Sequence, residues 1–467
     1  MNNKIIRVRL VPKNNADISI KSSLEGEPLS RSIDTKSSKD KADEVLRRTK
    51  NENIEAQLTP NNAIVAELSL EQFKDVYKGN IEEISGKELV GTTRKTSSFF
   101  SSKEEITLPD HLKDLVDFAY IPSPPDFFAP TYITPRISSH YLGLTDVLRM
   151  LNGAQCHRKG VTGKDVRVAM IDSGFFDHPY FERMGYTISR KDTDFSPDAN
   201  PTQDGSGHGT GESANVLVMA PDCEFIGIKN EQNSALAFEL ALESNAQIIT
   251  NSWGWNIDYL KFDDLRNIKP NLYLESIDLR NIIKDAVNAG VNVVFAGGNG
   301  HKAFPASMPE VIAVGGVFVN YNEDLQASNY ASSFKSQFFP GRTVPDFCGI
   351  VGQNGSTNTG HIMLPVPPGS ELEGENIHLP GRKNLGWGIF SGTSAAAPQI
   401  AGCIALMLSI KPNLTPDQVK KILAQSAIDI TKGKTAHGDA AKPGPDLATG
   451  SGLVNIHKAC EIVEQML

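Results

Sequence analysis

Cysteine is scarce and badly placed for cross-linking. Five residues, Cys156, Cys223, Cys348, Cys403 and Cys460, lie scattered over 467 positions. The number is odd and no CxxC spacing occurs, which excludes both a disulfide scaffold and a cysteine-based zinc site. Reduced thiols in a cytoplasmic protein are the expectation. The amino terminus, MNNKIIRVRLVPKNNADISI, contains no apolar core of the kind a secretory signal requires. No 18-residue apolar run is evident, so no membrane helix is expected. Positive charge is not in excess either. The formal net charge is −9, which argues against nucleic acid or an anionic membrane as the main partner. Internal repeats are absent as well.

What remains is a soluble-type composition, 39% hydrophobic and 22% charged, on a chain long enough for one large and one small domain. Residues 1–90 read as βαββαβ: KIIRVRLVP alternates as a strand, KSSKDKADEVLRRTK as an exposed helix, and IEAQLTP and AIVAELS as two strands. Ser69 and Glu71 then open a second helix ended by Gly79, and IEEISGKEL closes the unit. That order is the ferredoxin-like α+β pattern. Residues 91–135, rich in Ser, Thr and Pro, read as a connector without periodicity. From 136 to 467 strands alternate with helices. DVRVAMID, CEFIGIK, AQIITNSW and VNVVFAGG are apolar runs separated by helical patterns such as SALAFELALES. The expected fold is a doubly wound parallel sheet, whose functional groups gather at the carboxyl ends of the strands. Residues 346–388, rich in Gly and Pro, are expected to form a surface expansion.

Three polar residues sit where such ends fall. Asp172 closes the strand VAMID. His208 lies in the glycine-rich stretch DGSGHGTG. Ser394 stands in SGTSAAAP, among small side chains and just before the helical pattern QIAGCIALMLSI. Singly, each has an ordinary structural use: a turn cap, a loop histidine, a helix N-cap. Jointly, they are the groups nucleophilic catalysis requires, namely a serine, a base to take its proton, and a carboxylate to orient the base. The glycines at 205, 207, 209 and 211 lack both GxGxxG spacing and a P-loop lysine, so they do not form a phosphate cradle. A G-x-S-x-G elbow, expected of an unrelated serine hydrolase, is missing too.

These segments resemble the subtilisin-like serine proteases. The matching pieces are IDSG around Asp172, GHGTG around His208, FAGGNG around Asn299 and SGTSAAAP around Ser394. They occur in the family's Asp, His, Ser order. The likeness runs over roughly residues 140–460. It implies a serine endopeptidase with Ser394 as nucleophile, His208 as base and Asp172 as its orienting partner. Asn299 would donate to the oxyanion. By the same resemblance Ser252, Trp253 and Gly254 would belong to the strand that pairs with substrate, and Gly300 and Ala303 to the primary specificity pocket. No acidic residue falls there, which implies a neutral or apolar side chain before the cut. A catalytically silent relative that binds a peptide or partner through the same cleft is the alternative. The family's calcium loop follows the catalytic histidine, but the stretch from His208 to Met219 is short. No cofactor is therefore expected, and the usual calcium site is expected to be absent. Residues 1–90 resemble the family's propeptide domain, which implies an intramolecular inhibitor and activation by a cut in the connector. A protease without a secretion signal also leaves room for a dedicated regulatory partner.

Overall fold

A computed structural model describes residues 5–17, 19–21, 36–77, 80–87, 96–123, 126–127, 140–194, 196, 199–355, 358–376 and 384–467. Its centre is a sheet of seven parallel strands in the order Ile188–Asp192, Glu224–Lys229, Arg167–Asp172, Ile248–Asn251, Asn292–Ala296, Ile312–Val319 and Phe347–Val351. A short antiparallel strand, Leu325–Ala327, also pairs with Ile312–Val319. The order reverses about Arg167–Asp172, as in a doubly wound fold. Strands covered on both faces are uniformly apolar, and all five residues of Asn292–Ala296 are buried. The four strand runs expected from sequence all belong to this sheet.

Phe347–Val351 lies inside the segment read as a surface expansion, and that reading is corrected. FCGIV is wholly buried and completes the sheet. Asn358–Pro365 beyond it pairs with His140–Leu142 and Trp387–Ile389. Two helices pack along each other through the core, His208–Met219 and Thr393–Ile410. Gly402 permits this approach, since a Cβ there would come within 2.6 Å of Met219 Cβ. Thr393–Ile410 also corrects the expectation that no 18-residue apolar run exists. It has 18 residues at a mean hydropathy of 1.5, but 89% of it is buried within the protein. It is a core helix.

The small domain has the expected ferredoxin-like sheet, completed by a different strand. Glu55–Leu58, Ile64–Ser69, Ile5–Pro12 and Val116–Tyr120 are neighbours in that order, each pair antiparallel. Ile81–Lys87, expected to be the closing strand, instead forms a separate hairpin with Thr96–Ser102. The domain therefore extends past residue 90 into the supposed connector. VDFAY contributes buried Val116, Phe118 and Tyr120 to that place in the sheet. Helices Lys39–Asn51 and Leu70–Val76 accompany the sheet, the second opened by a Ser69–Gln72 capping box. Gly79 lies outside the described residues.

The small domain has its own apolar cluster, which includes Val8, Leu10, Val45 and Phe73, and it meets the large domain through Val11, Ile20, Phe118 and Tyr120, which pack into the main cluster. A buried ion network joins them. Arg9 donates through Nη2 to Glu239 Oε1 (2.6 Å) and through Nε to Asp278 Oδ2 (2.8 Å), and Tyr120 Oη donates to the same Asp278 oxygen (2.7 Å). The acids stand on helices Ser234–Glu243 and Pro270–Asn288. Around them, Asn271 Nδ2 donates to Ser102 O (2.6 Å) and Ser123 N–H to Glu275 Oε2 (3.0 Å).

Candidate active site

Asp172 is the last residue of its strand, His208 the first of its helix and Ser394 the second of its own. All three side chains are fully buried. Asp172 Oδ1 and His208 Nδ1 are 2.7 Å apart, and the same oxygen accepts the Ser173 N–H at 2.8 Å. This pairing fixes the ring and commits Nδ1 to the carboxylate, so Nε2 is the nitrogen available for proton transfer. Burial pulls the imidazole's pKa down. The charge and hydrogen bond of Asp172 outweigh that, Glu212 and Asp204 add to them, and the imidazole ends up at about 9.

The loop before His208 is built around Asp204, which the sequence reading passed over. Its buried carboxylate accepts from Ser173 Oγ (2.8 Å), Gly207 N–H (2.9 Å), Thr210 N–H (2.9 Å) and Thr210 Oγ1 (2.6 Å). Ser173 Oγ in turn accepts from Gly209 N–H at 3.0 Å, tying the Asp172 strand to the His208 helix. Gly207 turns the chain into the helix at φ +84, where a side chain is strained. A carboxylate three residues before a Gly-His pair, read as an anchor for the turn, was the available signal.

Ser394 opens the other helix. Its carbonyl accepts from Ser252 Oγ at 2.8 Å, and its own Oγ lies 3.4 Å from Ser252 O. Asn299 sits in the loop after Asn292–Ala296, partly exposed. Its Oδ1 accepts from both Thr393 N–H (2.9 Å) and Thr393 Oγ1 (3.1 Å), which fixes the orientation of the amide. Thr393 Oγ1 also accepts Gly298 N–H at 3.0 Å. With Oδ1 held by Thr393, the donor nitrogen Nδ2 lies against Gly392, close enough that a Cβ at 392 would approach it to 2.6 Å. Gly392 thus makes room for Asn299. Thr393 is the second residue missed from sequence, where it reads as a helix cap.

The expected subsite residues separate by what they expose. Trp253 is buried in an aromatic cluster with Phe238, Phe295 and Trp255, and its Nε1–H donates to Ile171 O at 3.0 Å. It therefore faces a cleft only through its backbone. That backbone is already engaged: Trp253 pairs with Phe127 and Gly254 with Asp126, antiparallel. On its other edge the strand Trp253–Asn256 pairs with Ala303–Phe304, which places Ala303, buried, opposite Asn256. Gly300 is exposed at φ +88, and its N–H donates to Ser332 Oγ at 2.9 Å.

No loop of the calcium-binding kind directly follows His208. Residues His208–Met219 form one unbroken, fully buried helix, whereas calcium requires six or more oxygens from an open loop. Among the described residues no group of three or more His, Cys, Asp or Glu is arranged to hold a metal.

Comparison with known proteins places this site in context. The model of the subtilase family matches residues 163–452, more than half of the chain. A subtilisin of Bacillus pumilus is 27% identical over 319 residues, covering 65% of this chain and 94% of that protein. A calcium-dependent protease of a Nostoc strain is 27% identical over 336 residues, covering 64% of this chain and 46% of its own length. Among solved structures, a lanthipeptide protease matches with a TM-score of 0.52 at 20% identity, covering 68% of this chain and 93% of that one. Fervidolysin from Fervidobacterium pennivorans, a keratinolytic enzyme related to subtilisin, matches at 0.53 and 17%, covering 98% of this chain and 61% of its own. At such identities the two structures bear on the fold alone.

Proposed function

The chain belongs to the subtilase family and is a serine endopeptidase, and from that premise we propose that it cleaves peptide bonds through Ser394, His208 and Asp172 and is held latent by its N-terminal domain. The observation that carries the catalytic part is the buried Asp172–His208 pair at 2.7 Å, set between a strand end and the helix that packs against Ser394. Ser394 Oγ attacks the scissile carbonyl while His208 Nε2 takes the hydroxyl proton. The resulting imidazolium is stabilised by Asp172 and passes the proton to the leaving amine. Water then enters by the same route, giving its proton to His208 and its oxygen to the acyl group, and Ser394 is regenerated. Asn299 Nδ2 and the Ser394 N–H are the donors to the oxyanion.

Latency rests on two supports. The apolar contact of Val11, Ile20, Phe118 and Tyr120 and the Arg9 network dock the small domain on the large one, the network on the helices Ser234–Glu243 and Pro270–Asn288. The strand Asp126–Phe127 pairs with Trp253–Gly254 as a bound peptide would, and tethering makes that occupancy intramolecular. Activation then requires a cut within 91–135, for which the segment just after Phe127 is the natural place. The buried free thiols suit a reducing compartment such as the cytoplasm, and the unbroken helix after His208 suits work without calcium.

A covalent serine probe and a peptide substrate test the reading together. Wild-type protein should label at Ser394 and cleave. Ser394→Ala should lose about 10⁶-fold in turnover, the figure known for subtilisin, while keeping its fold. Equal cleavage by both proteins would overturn the assignment. An active chain with no cut between 91 and 135 would overturn the latency part.

A further inference from the structure

Glu212 is a carboxylic acid in the middle of the core that the mechanism above does not use. It stands four residues after His208 on the same helix, so the two side chains share one helix face. It is completely buried. Its Oε2 accepts from Asn215 Nδ2 at 2.9 Å. Asn215 Oδ1 accepts in turn from Gln399 Nε2 (3.2 Å) on the Ser394 helix. Gln399 is itself locked to Ile350, donating to its carbonyl (2.9 Å) and accepting its N–H (2.8 Å). The carboxyl is therefore fixed in place by a polar chain linking the base's helix to the nucleophile's helix. Its other oxygen, Oε1, has no hydrogen-bond partner among the described residues. A buried acid kept with one oxygen unsatisfied is costly unless its charge serves a neighbour.

We propose that Glu212 is a positioning residue for the reaction, a second carboxylate that stabilises the His208 imidazolium from within its own helix while Asp172 holds the ring from the strand. The groups that face it are few. His208 is on its own helix, Asp172 is on a strand of the sheet, and Tyr330, with His361 stacked on it, is near enough to feel the Glu212 charge. The Ser394 helix is linked to it by the neutral amide of Gln399, by way of Asn215. Burial pushes the Glu212 carboxyl up, His208 pulls it back, Asp172 raises it again and Asn215 lowers it, to about 8 overall. Glu212 is in turn one of the charges that raise the His208 pKa, after Asp172. The sign follows. A negative Glu212 favours the charged imidazole, so removing that charge lowers the His208 pKa.

This inference rests on the endopeptidase reading with His208 as base, and the profile of kcat/KM against pH separates the two. Wild-type activity should rise with pH as His208 is deprotonated, with a midpoint displaced to the alkaline side of the ordinary 6.5. Glu212→Gln keeps the shape and the Asn215 contact but not the charge. Its midpoint should fall by about one to two pH units, the scale of one charge about 6 Å away at an effective dielectric constant of about 20, and its plateau rate should drop. Glu212→Asp should lie between. A rising limb that superimposes on wild type in Glu212→Gln overturns the proposal and leaves the endopeptidase intact, while a wild type without any rising limb removes His208 as base. Should the glutamine variant fail to fold, the same question is answered by NMR titration of His208 in Ser394→Ala protein with and without Glu212→Asp. A lower midpoint in the aspartate variant supports the role, and an unchanged one refutes it.

Discussion

Replacing Arg9 by methionine tests the docking of the N-terminal domain at its strongest point. Arg9 and Glu239 side chains are 1% exposed and Asp278 is 11% exposed, so the pair is screened little by solvent. Removing one partner of such a buried pair costs about 3–5 kcal/mol, because it strands the charge left behind. Here two carboxylates are left, with Tyr120 still donating to Asp278. In equilibrium terms the undocked fraction should grow by about 10²- to 10⁴-fold, at roughly 1.4 kcal/mol per tenfold. Burial already raises the Glu239 pKa and Arg9 is the main influence holding it down. In the variant Glu239 will therefore take up a proton when docked. A carboxyl whose docked pKa is raised loses stability as pH rises through that pKa, so the variant should dock progressively worse toward alkaline pH.

The assay is the lag before freshly folded protein hydrolyses a peptide, followed by size-exclusion chromatography of the cut product. Arg9→Met should shorten the lag and release the N-terminal fragment, which should co-elute with the catalytic domain in wild type. Arg9→Met combined with Glu239→Leu and Asp278→Leu should restore docking, since replacing a whole buried ion pair by apolar groups is close to neutral. An unaltered lag and a fragment that stays bound in Arg9→Met would refute the reasoning.

Two further outcomes follow from the site. Gly392→Ala should cost activity nearly as much as Asn299→Ala, about 10²–10³-fold by analogy with the matching subtilisin asparagine. The added methyl would meet Asn299 Nδ2 at 2.6 Å while Thr393 pins the other end of the amide, and steady-state kinetics with unchanged circular dichroism would show it. Chelator should leave the melting temperature unmoved, and a fall of several degrees would reveal a cation site that the unbroken helix after His208 does not offer.

What could be read in the sequence and what could not divide along a physical line. The parallel strands were legible because strands buried on both faces write themselves as unbroken apolar runs, and Asp172, His208 and Ser394 were legible because polar residues interrupt those runs beside glycines. Val116–Tyr120 was not legible as the closing strand of the small sheet. Its partner, Ile5–Pro12, lies more than a hundred residues away, and nothing local distinguishes it from the more regular IEEISGK. Phe347–Val351 was hidden for the opposite reason. It is an apolar run of five residues flanked by Gly- and Pro-rich sequence, and its environment is settled only by pairing with Ile312–Val319.

The polar residues that support the site were harder still. Asp204, Thr393 and Glu212 each belong to a class that sequence reading assigns to turns, caps or solvent-facing helix surface. Their actual work depends on partners brought in from other elements: Ser173 for Asp204, Asn299 for Thr393, and His208 with Asn215 and Gln399 for Glu212. Glu212 is the sharpest case, since an acid on a helix is ordinarily taken as exposed. It is buried on a helix whose residues from His208 to Met219 are all buried and which packs against the Ser394 helix. The same packing that sets the Ser394 helix against the His208 helix thus puts a third carboxyl, with Asp172 and Asp204, in the field of His208. Motifs name the groups that react, but the field in which they react is a property of the packed helices.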